Sequence, residues 1–324
     1  MSPSPLLEIH DLHVHYPVGR ATPFAPASVL KAVDGVDLRL APGETLGLVG
    51  ESGCGKTTLG RALVKLVQPT TGQLRFRGQD ITRLQGRELL AYRKRVQMIF
   101  QDPAGSLNPR LTAGASIAEP LRLHRLTRTA NARRERVAEL LRSVGLDPDH
   151  AQRYPHEFSG GQRQRIGLAR ALAVEPELIV CDEPVSALDV SVQAHVINLL
   201  ADLQRARGLS FLFIAHDLAV VAHLCQRVAV MYLGRILESG PTSAVLGTPR
   251  HPYTLALRSA VPQVRPKERQ QRMPLPGEPP SPLDPPSGCA FHPRCPIGED
   301  RCQRERPAFR SIGPGHQVAC HAVE

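Results

Sequence analysis

Gly50-Glu51-Ser52-Gly53-Cys54-Gly55-Lys56-Thr57 fits the pattern G-x-x-x-x-G-K-[ST], with Thr58 next. It follows an apolar run ending at Val49 and opens an expected helix, Thr57 to Val67. Glycines let the chain fold so tightly that backbone N–H groups point inward at phosphate oxygens, and the positive end of a helix dipole adds to the attraction. Lys56 would then neutralise the β- and γ-phosphates of a nucleotide, and the Thr57 hydroxyl would ligate Mg²⁺. Average residue usage produces this pattern by chance in about one per cent of chains of such length. Cys54 is either a reactive thiol, its pKa lowered by the helix N-terminus, or a tolerated loop residue.

A second group of residues closes another apolar run. Leu178-Ile179-Val180-Cys181 leads into Asp182-Glu183, and a carboxylate at the end of a buried strand is costly unless it serves a cation or a reaction. Asp182 is the expected Mg²⁺ partner, through water, and Glu183 would orient and deprotonate an attacking water. Further back, Phe158-Ser159-Gly160-Gly161-Gln162-Arg163 precedes a helical run, Ile166 to Leu172. Ser159 reads as its N-cap, and the two glycines leave backbone donors for an anion. One nucleotide has no use for two such sites far apart in a chain, so this helix end is expected to cover the γ-phosphate held by a second subunit.

The elements that must position these groups follow from the apolar pattern. Short runs apolar on both faces, such as Thr45 to Val49 and Phe211 to Ile214, alternate with helical stretches, which implies a mostly parallel sheet covered by helices. Between Pro103 and Val174 no strand pattern occurs, while Val137, Leu140, Leu141 and Val144 lie at i, i+3, i+4 and i+7 with Gly145 as a C-cap. A helical insertion over about 103–174 is expected in a main domain of residues 1–250. Nine prolines between Pro262 and Pro286 exclude regular structure there, and the tail, 251–324, is expected to be a small cysteine-containing domain.

The 324 residues are 42% hydrophobic and 22% charged, enough for a sizeable core and too apolar for global disorder. No uncharged apolar stretch approaches a membrane-spanning length, and Met1 to His10 lack the start of a secretion signal; the chain is expected to be soluble and to stay where it is made. The net charge of +10 favours an anionic partner or reflects arginines spread over a solvated surface, lysine occurring only at Lys31, Lys56, Lys65, Lys94 and Lys267. Aromatic residues make up 4%, which weakens a single-strand nucleic-acid reading based on stacking.

With the Ser159-Gly160-Gly161-Gln162 signature, the Asp182-Glu183 pair, Ser186-Ala187-Leu188-Asp189 and His216 in this order, the chain resembles the nucleotide-binding subunits of ATP-binding-cassette transporters. The resemblance implies an α/β P-loop NTPase fold, a RecA-like mixed sheet with a helical subdomain, that binds ATP and Mg²⁺ and hydrolyses ATP. It implies that Gln101 reaches Mg²⁺ and the attacking water, Asp189 lies at a dimer interface, His216 contacts the γ-phosphate and Tyr16 stacks on adenine. Gly53 to Arg61, Phe100-Gln101-Asp102-Pro103, Ser106 to Arg110, Pro184 to Gln193 and His251-Pro252-Tyr253-Thr254 further resemble the dipeptide and oligopeptide importer ATPases, particularly their F-type subunit. That branch implies a partner ATPase forming a heterodimer, two membrane permeases, an extracytoplasmic binding protein and a peripheral place on the cytoplasmic face of the inner membrane. Nickel chelates or glutathione remain alternative cargoes. A soluble cassette ATPase acting on nucleic acid or the ribosome is the rival class, although the single cassette without a coiled coil speaks against it, and no nucleic-acid partner is expected.

Cys289, Cys295, Cys302 and Cys320 crowd the tail. In the reducing compartment of an ATPase, thiols are more often metal-bound or free than paired as disulfides. Four thiolates suit tetrahedral Zn²⁺ or a [4Fe–4S] cluster, and His292, His316 and His321 leave a mixed ligand set open. The resemblance to peptide-importer tails implies an iron–sulfur cluster.

Overall fold

In the computed structural model, residues 4–19, 28–103, 105–186, 188–260 and 275–323 are described. Ala187 and most of the proline-rich stretch lie outside them. The chain forms two compact units, Met1–Arg83 with Ile214–Glu324, and Leu84–Phe213.

In the first unit, β1 (Leu7–Val18), β2 (Ser28–Leu40), β4 (Thr71–Phe76) and β5 (Gln79–Asp80) form an antiparallel sheet in the order β2-β1-β4-β5. Alternating burial along β1, with Leu7, Ile9, Leu12 and Val14 inward, is the pattern of a sheet with one solvated face. The unit's other strands are β3 (Thr45–Val49), β9 (Arg227–Tyr232) and β10 (Arg235–Pro241), with β11 (Arg310–Gly313) and β12 (His316–Val318) from the tail; their order is β11-β12-β10-β9-β3. β3 runs parallel to β9, and the rest pair antiparallel, so the arrangement is mixed. All five residues of β3 are buried. Its helices are α1 (Lys56–Leu63), α7 (Leu218–Leu224), α8 (Thr242–Gly247), α9 (Pro252–Ser259) and α10 (Asp300–Arg304). α1 stops at Leu63 rather than running to Val67, because Lys65 turns into the left-handed region at φ 60°.

The second unit holds β6 (Val96–Ile99) parallel to β7 (Leu178–Asp182), with β8 (Ser210–Ala215), of which it includes the residues up to Phe213, on the other side of β7. β7 and β8 are buried throughout, as strands covered on both faces must be. α2 (Gly86–Arg95) and α6 (Val190–Arg207) flank them in sequence. Between β6 and β7 the described residues contain no strand; α3 (Ala113–Leu123), α4 (Ala130–Ser143) and α5 (Gly160–Leu172) pack on one another there. Val137, Leu140, Leu141 and Val144 bury one face of α4. Gly145, at φ 70°, ends it: its N–H bonds Arg142 and the N–H of Leu146 reaches back to Leu141, so a left-handed glycine satisfies the last carbonyls.

Candidate nucleotide site

The loop between β3 and α1 has the geometry of a phosphate cradle. A Cβ on Gly50 would lie 2.1 Å from the Met231 carbonyl oxygen, and one on Gly55 2.0 Å from that of Ala32. Gly55 also holds φ 108°, so glycine is required by contact and by torsion. Gly55 caps α1 without any side-chain hydrogen bond, which leaves the helix N-terminus to be completed by an anion. Lys56 is buried, and its Nζ donates to the carbonyls of Gly50 at 2.8 Å and Glu51 at 2.9 Å. A cation folded against its own loop at an uncapped helix end fits the polyphosphate of ATP. Thr57 and Thr58 stand in the first turn, and Ser52 and Gly53 at the loop's crest. Cys54 is buried, and burial pushes its thiol pKa up despite the Lys56 ammonium beside it. These surroundings favour the neutral thiol of a packed loop residue.

Glu51 is held on every side. Its N–H donates to the Tyr253 hydroxyl at 2.8 Å, its carbonyl accepts from Lys56, and its carboxylate accepts from Arg294 Nη1 at 2.7 Å and Nη2 at 3.2 Å. Tyr253 and Arg294 carry no motif that reveals this. His251-Pro252-Tyr253 is visible in the sequence, but its partner is some two hundred residues away; Arg294 gives no signal at all.

The second unit brings Gln101 and Glu183 together, Gln101 Nε2 donating to Glu183 Oε2 at 3.0 Å. Asp182 ends β7 almost completely buried. Glu183 adopts φ 44°, a left-handed conformation costing a non-glycine residue about 1 kcal/mol or more. The strain sits at the acid to which the sequence assigns the water. In α5, Ser159 Oγ accepts from the Gln162 N–H at 3.4 Å while Gln162 Oε1 accepts from the Ser159 N–H at 3.0 Å, a reciprocal capping box. The expected cap is there, and the contact that Gln162 returns has its sequence mark in a glutamine three residues after a serine. A Cβ on Gly161 would lie 2.3 Å from Val192 Cγ1, and one on Gly160 3.2 Å from Leu188 Cδ2, so these glycines also admit the neighbouring segment. Phe158 is buried against the His150 ring. Asp189 precedes α6 exposed, and His216 follows β8 exposed. Tyr16 is half-buried opposite Leu30 on β2.

None of the seven cysteines is paired in a disulfide. Burial, first of all, pushes Cys289 up to about 11 and raises Cys295 and Cys320. The backbone N–H groups of Phe291, Ile297 and Ala322 act on the sulfurs of Cys289, Cys295 and Cys320 in the opposite sense, and the four tail thiols lie within electrostatic reach of one another. N–H groups directed at sulfur favour thiolates. Elsewhere, His13, His15 and Asp34 bring ligand atoms within 4.8 Å, the one such trio among the described residues. It is a closed ion-pair network: Asp34 Oδ2 takes Arg235 at 2.6 and 3.0 Å and Arg306 at 3.2 Å. Burial pushes the Asp34 carboxyl up, but the guanidiniums outweigh it and hold it at about 2. Two fixed positive charges repel the cation such a trio would need.

No helix among the described residues is long and apolar enough to cross a membrane. Residues 33–186 match the ABC transporter family and residues 237–302 match the oligopeptide/dipeptide transporter C-terminal region. A putative oligopeptide transport ATP-binding protein, YkfD, of Bacillus subtilis is 52% identical over 98% of this chain and 95% of its own length. The oligopeptide transport ATP-binding protein AppF of the same organism is 51% identical over 98% of this chain and 97% of its own. Among solved structures, a dimeric ATP-binding cassette in a post-hydrolysis state with ADP and Pi superposes with a TM-score of 0.66 at 28% identity, over 73% of this chain and 98% of that one. These relatives leave the nucleic-acid and ribosome alternative without support. The chain belongs to the ATP-binding subunits of the ABC transporter family, in the branch that carries the oligopeptide and dipeptide C-terminal region.

Proposed function

We propose that this chain hydrolyses ATP to power a peptide importer. The observation that carries the reading is that likeness to peptide-transport ATP-binding proteins runs through cassette and tail alike, over 98% of the chain. The glycine cradle and Lys56 bind the polyphosphate, with Gly50 to Thr58 as its binding residues and Tyr16 as the adenine platform. Mg²⁺, held by Thr57, Gln101 and Asp182, would neutralise charge on the transferred phosphoryl group. Glu183 orients and deprotonates the water, and its hydrogen bond from Gln101 fixes the carboxylate for that task. His216 contacts the γ-phosphate.

Ser159, Gly160, Gly161 and Gln162 complete the site of a second ATPase, with Asp189 at the interface between the two. This heterodimer closes on ATP and reopens after hydrolysis, moving two permeases through the helical insertion and the segment after Gln101, on the cytoplasmic face of the membrane, with an extracytoplasmic binding protein supplying cargo. Peptides are favoured over nickel chelates or glutathione by the names of the relatives.

The tail thiols fit a metal group through their N–H···S contacts, and Cys289, Cys295, Cys302 and Cys320 would hold a structural [4Fe–4S] cluster. Zinc, which four thiolates also suit, is the alternative.

The hydrolytic assignment is tested by Glu183→Gln in the assembled transporter. ATP binding is retained and turnover falls by at least about 10²-fold; undiminished hydrolysis removes Glu183 from its role.

A further inference from the structure

The phosphate loop carries a carboxylate of its own. Glu51 follows Gly50 directly, and a negative charge there opposes an incoming triphosphate. Its counter-charge comes from the far end of the chain. Arg294, with its side chain 6% exposed, closes a two-pronged fork on both Glu51 oxygens. A fork of this kind fixes orientation as well as charge.

The tail aims the guanidinium with care. Arg294 Nε donates to the Pro276 carbonyl, and its backbone N–H to that of Phe291. Phe291 is fully buried, its ring 5.4 Å from those of Tyr232 and Tyr253 and 5.5 Å from that of His251. Tyr253 comes from this same cluster and takes the Glu51 N–H through its hydroxyl. Two tail side chains, from different elements, thus meet on one residue of the phosphate loop.

We propose that Arg294 is a positioning residue for nucleotide binding: by neutralising and orienting Glu51, it makes the C-terminal tail an integral part of the ATP site. This rests on the phosphate-loop reading above. Arg294 itself need touch no nucleotide. It acts through Glu51, whose carbonyl also receives the Lys56 ammonium, so releasing the carboxylate both restores a repulsive charge and loosens an anchor of the phosphate-binding lysine.

The test is a double-mutant cycle on the purified full-length chain, with MgATP affinity and thermal unfolding measured for each protein. Arg294→Ala is expected to weaken ATP about tenfold, the equivalent of about 1.4 kcal/mol. Glu51→Gln removes the repulsive charge together with its partner's purpose, and its measured affinity is the reference for the second half of the cycle. Added to Glu51→Gln, Arg294→Ala then changes affinity by less than about threefold, and Arg294→Lys, which keeps the charge, loses far less than Arg294→Ala does in the wild-type background. A purely structural arginine would show the opposite: affinity lost in parallel with thermal stability, and no recovery on neutralising Glu51. That result overturns the proposal, as does unchanged affinity in Arg294→Ala. Should Arg294→Ala fail to fold, Arg294→Gln, which keeps the side chain's length without its charge, takes its place in both halves of the cycle, and an equal loss in the two backgrounds refutes the proposal. Wild-type chain that binds no ATP, or Lys56→Ala that binds as well as wild type, refutes the phosphate-loop reading instead.

Discussion

His251 couples the tail's anchor on the phosphate loop to pH. It is 1% exposed, and its Nδ1 accepts the N–H of Tyr253, capping α9. An imidazole can accept there only while that nitrogen is unprotonated. Burial lowers its pKa to about 3, whereas an unfolded histidine titrates near 6.5. Because the folded value is the depressed one, stability is fully present above about pH 6.5 and is lost as pH falls through the window down to about 3. Linkage over this window gives a cost of about 2 kcal/mol at pH 5, against about 0.2 kcal/mol at pH 7. The control is His251→Asn, which keeps an acceptor for the cap and removes the titration. Urea unfolding of both full-length proteins at pH 7.5 and pH 5.0 reads the difference, all other ionisable groups being common to the two. Wild type should lose about 2 kcal/mol more than the variant between the two conditions. Equal losses would refute the claim that a neutral, buried His251 holds this corner.

The signature helix offers a packing prediction. Gly161→Ala drives a methyl to within 2.3 Å of Val192 Cγ1 and should destabilise the chain by about 1–3 kcal/mol, the usual cost of overpacking; adding Val192→Ala should restore most of it in chemical unfolding. For the tail, anaerobic purification should yield iron and acid-labile sulfide in equal amounts, lost together in Cys302→Ser. Colourless protein with stoichiometric zinc would reverse that choice.

What the sequence discloses of the site is what local chemistry fixes. Gly55 and Lys56 are legible because the steric demand on one and the charge of the other act within a few residues. Ser159 is legible because a cap is a contact three residues long. The strands β3, β7 and β8 announce themselves by unbroken burial. The end of α1 is not legible, because it depends on Lys65 leaving the helical region to place its Nζ on the Thr82 carbonyl. Nor is the meeting of Gln101 with Glu183, or of Arg294 with Glu51, since each joins side chains 82 and 243 residues apart through the packing of whole elements. The arginine has no local mark at all, and the glutamine is marked only through the Phe100-Gln101-Asp102-Pro103 resemblance.

Those two long-range contacts also separate the work of two glutamates. Glu51 is met by a guanidinium, which cancels its charge and leaves the loop to the cationic Lys56 and the helix end. Glu183 is met by the amide of Gln101, which orients a carboxylate without cancelling its charge. A proton acceptor must keep a negative charge to act, and a phosphate-binding loop must shed one. Exchanging the partners would invert both sites: a cation on Glu183 would hold the base in a salt bridge, and an amide on Glu51 would leave the cradle facing the triphosphate with an uncompensated carboxylate. On the proposed reading, arginine at position 294 and glutamine at position 101 suit the binding of a polyanion at one place and its attack by water at another.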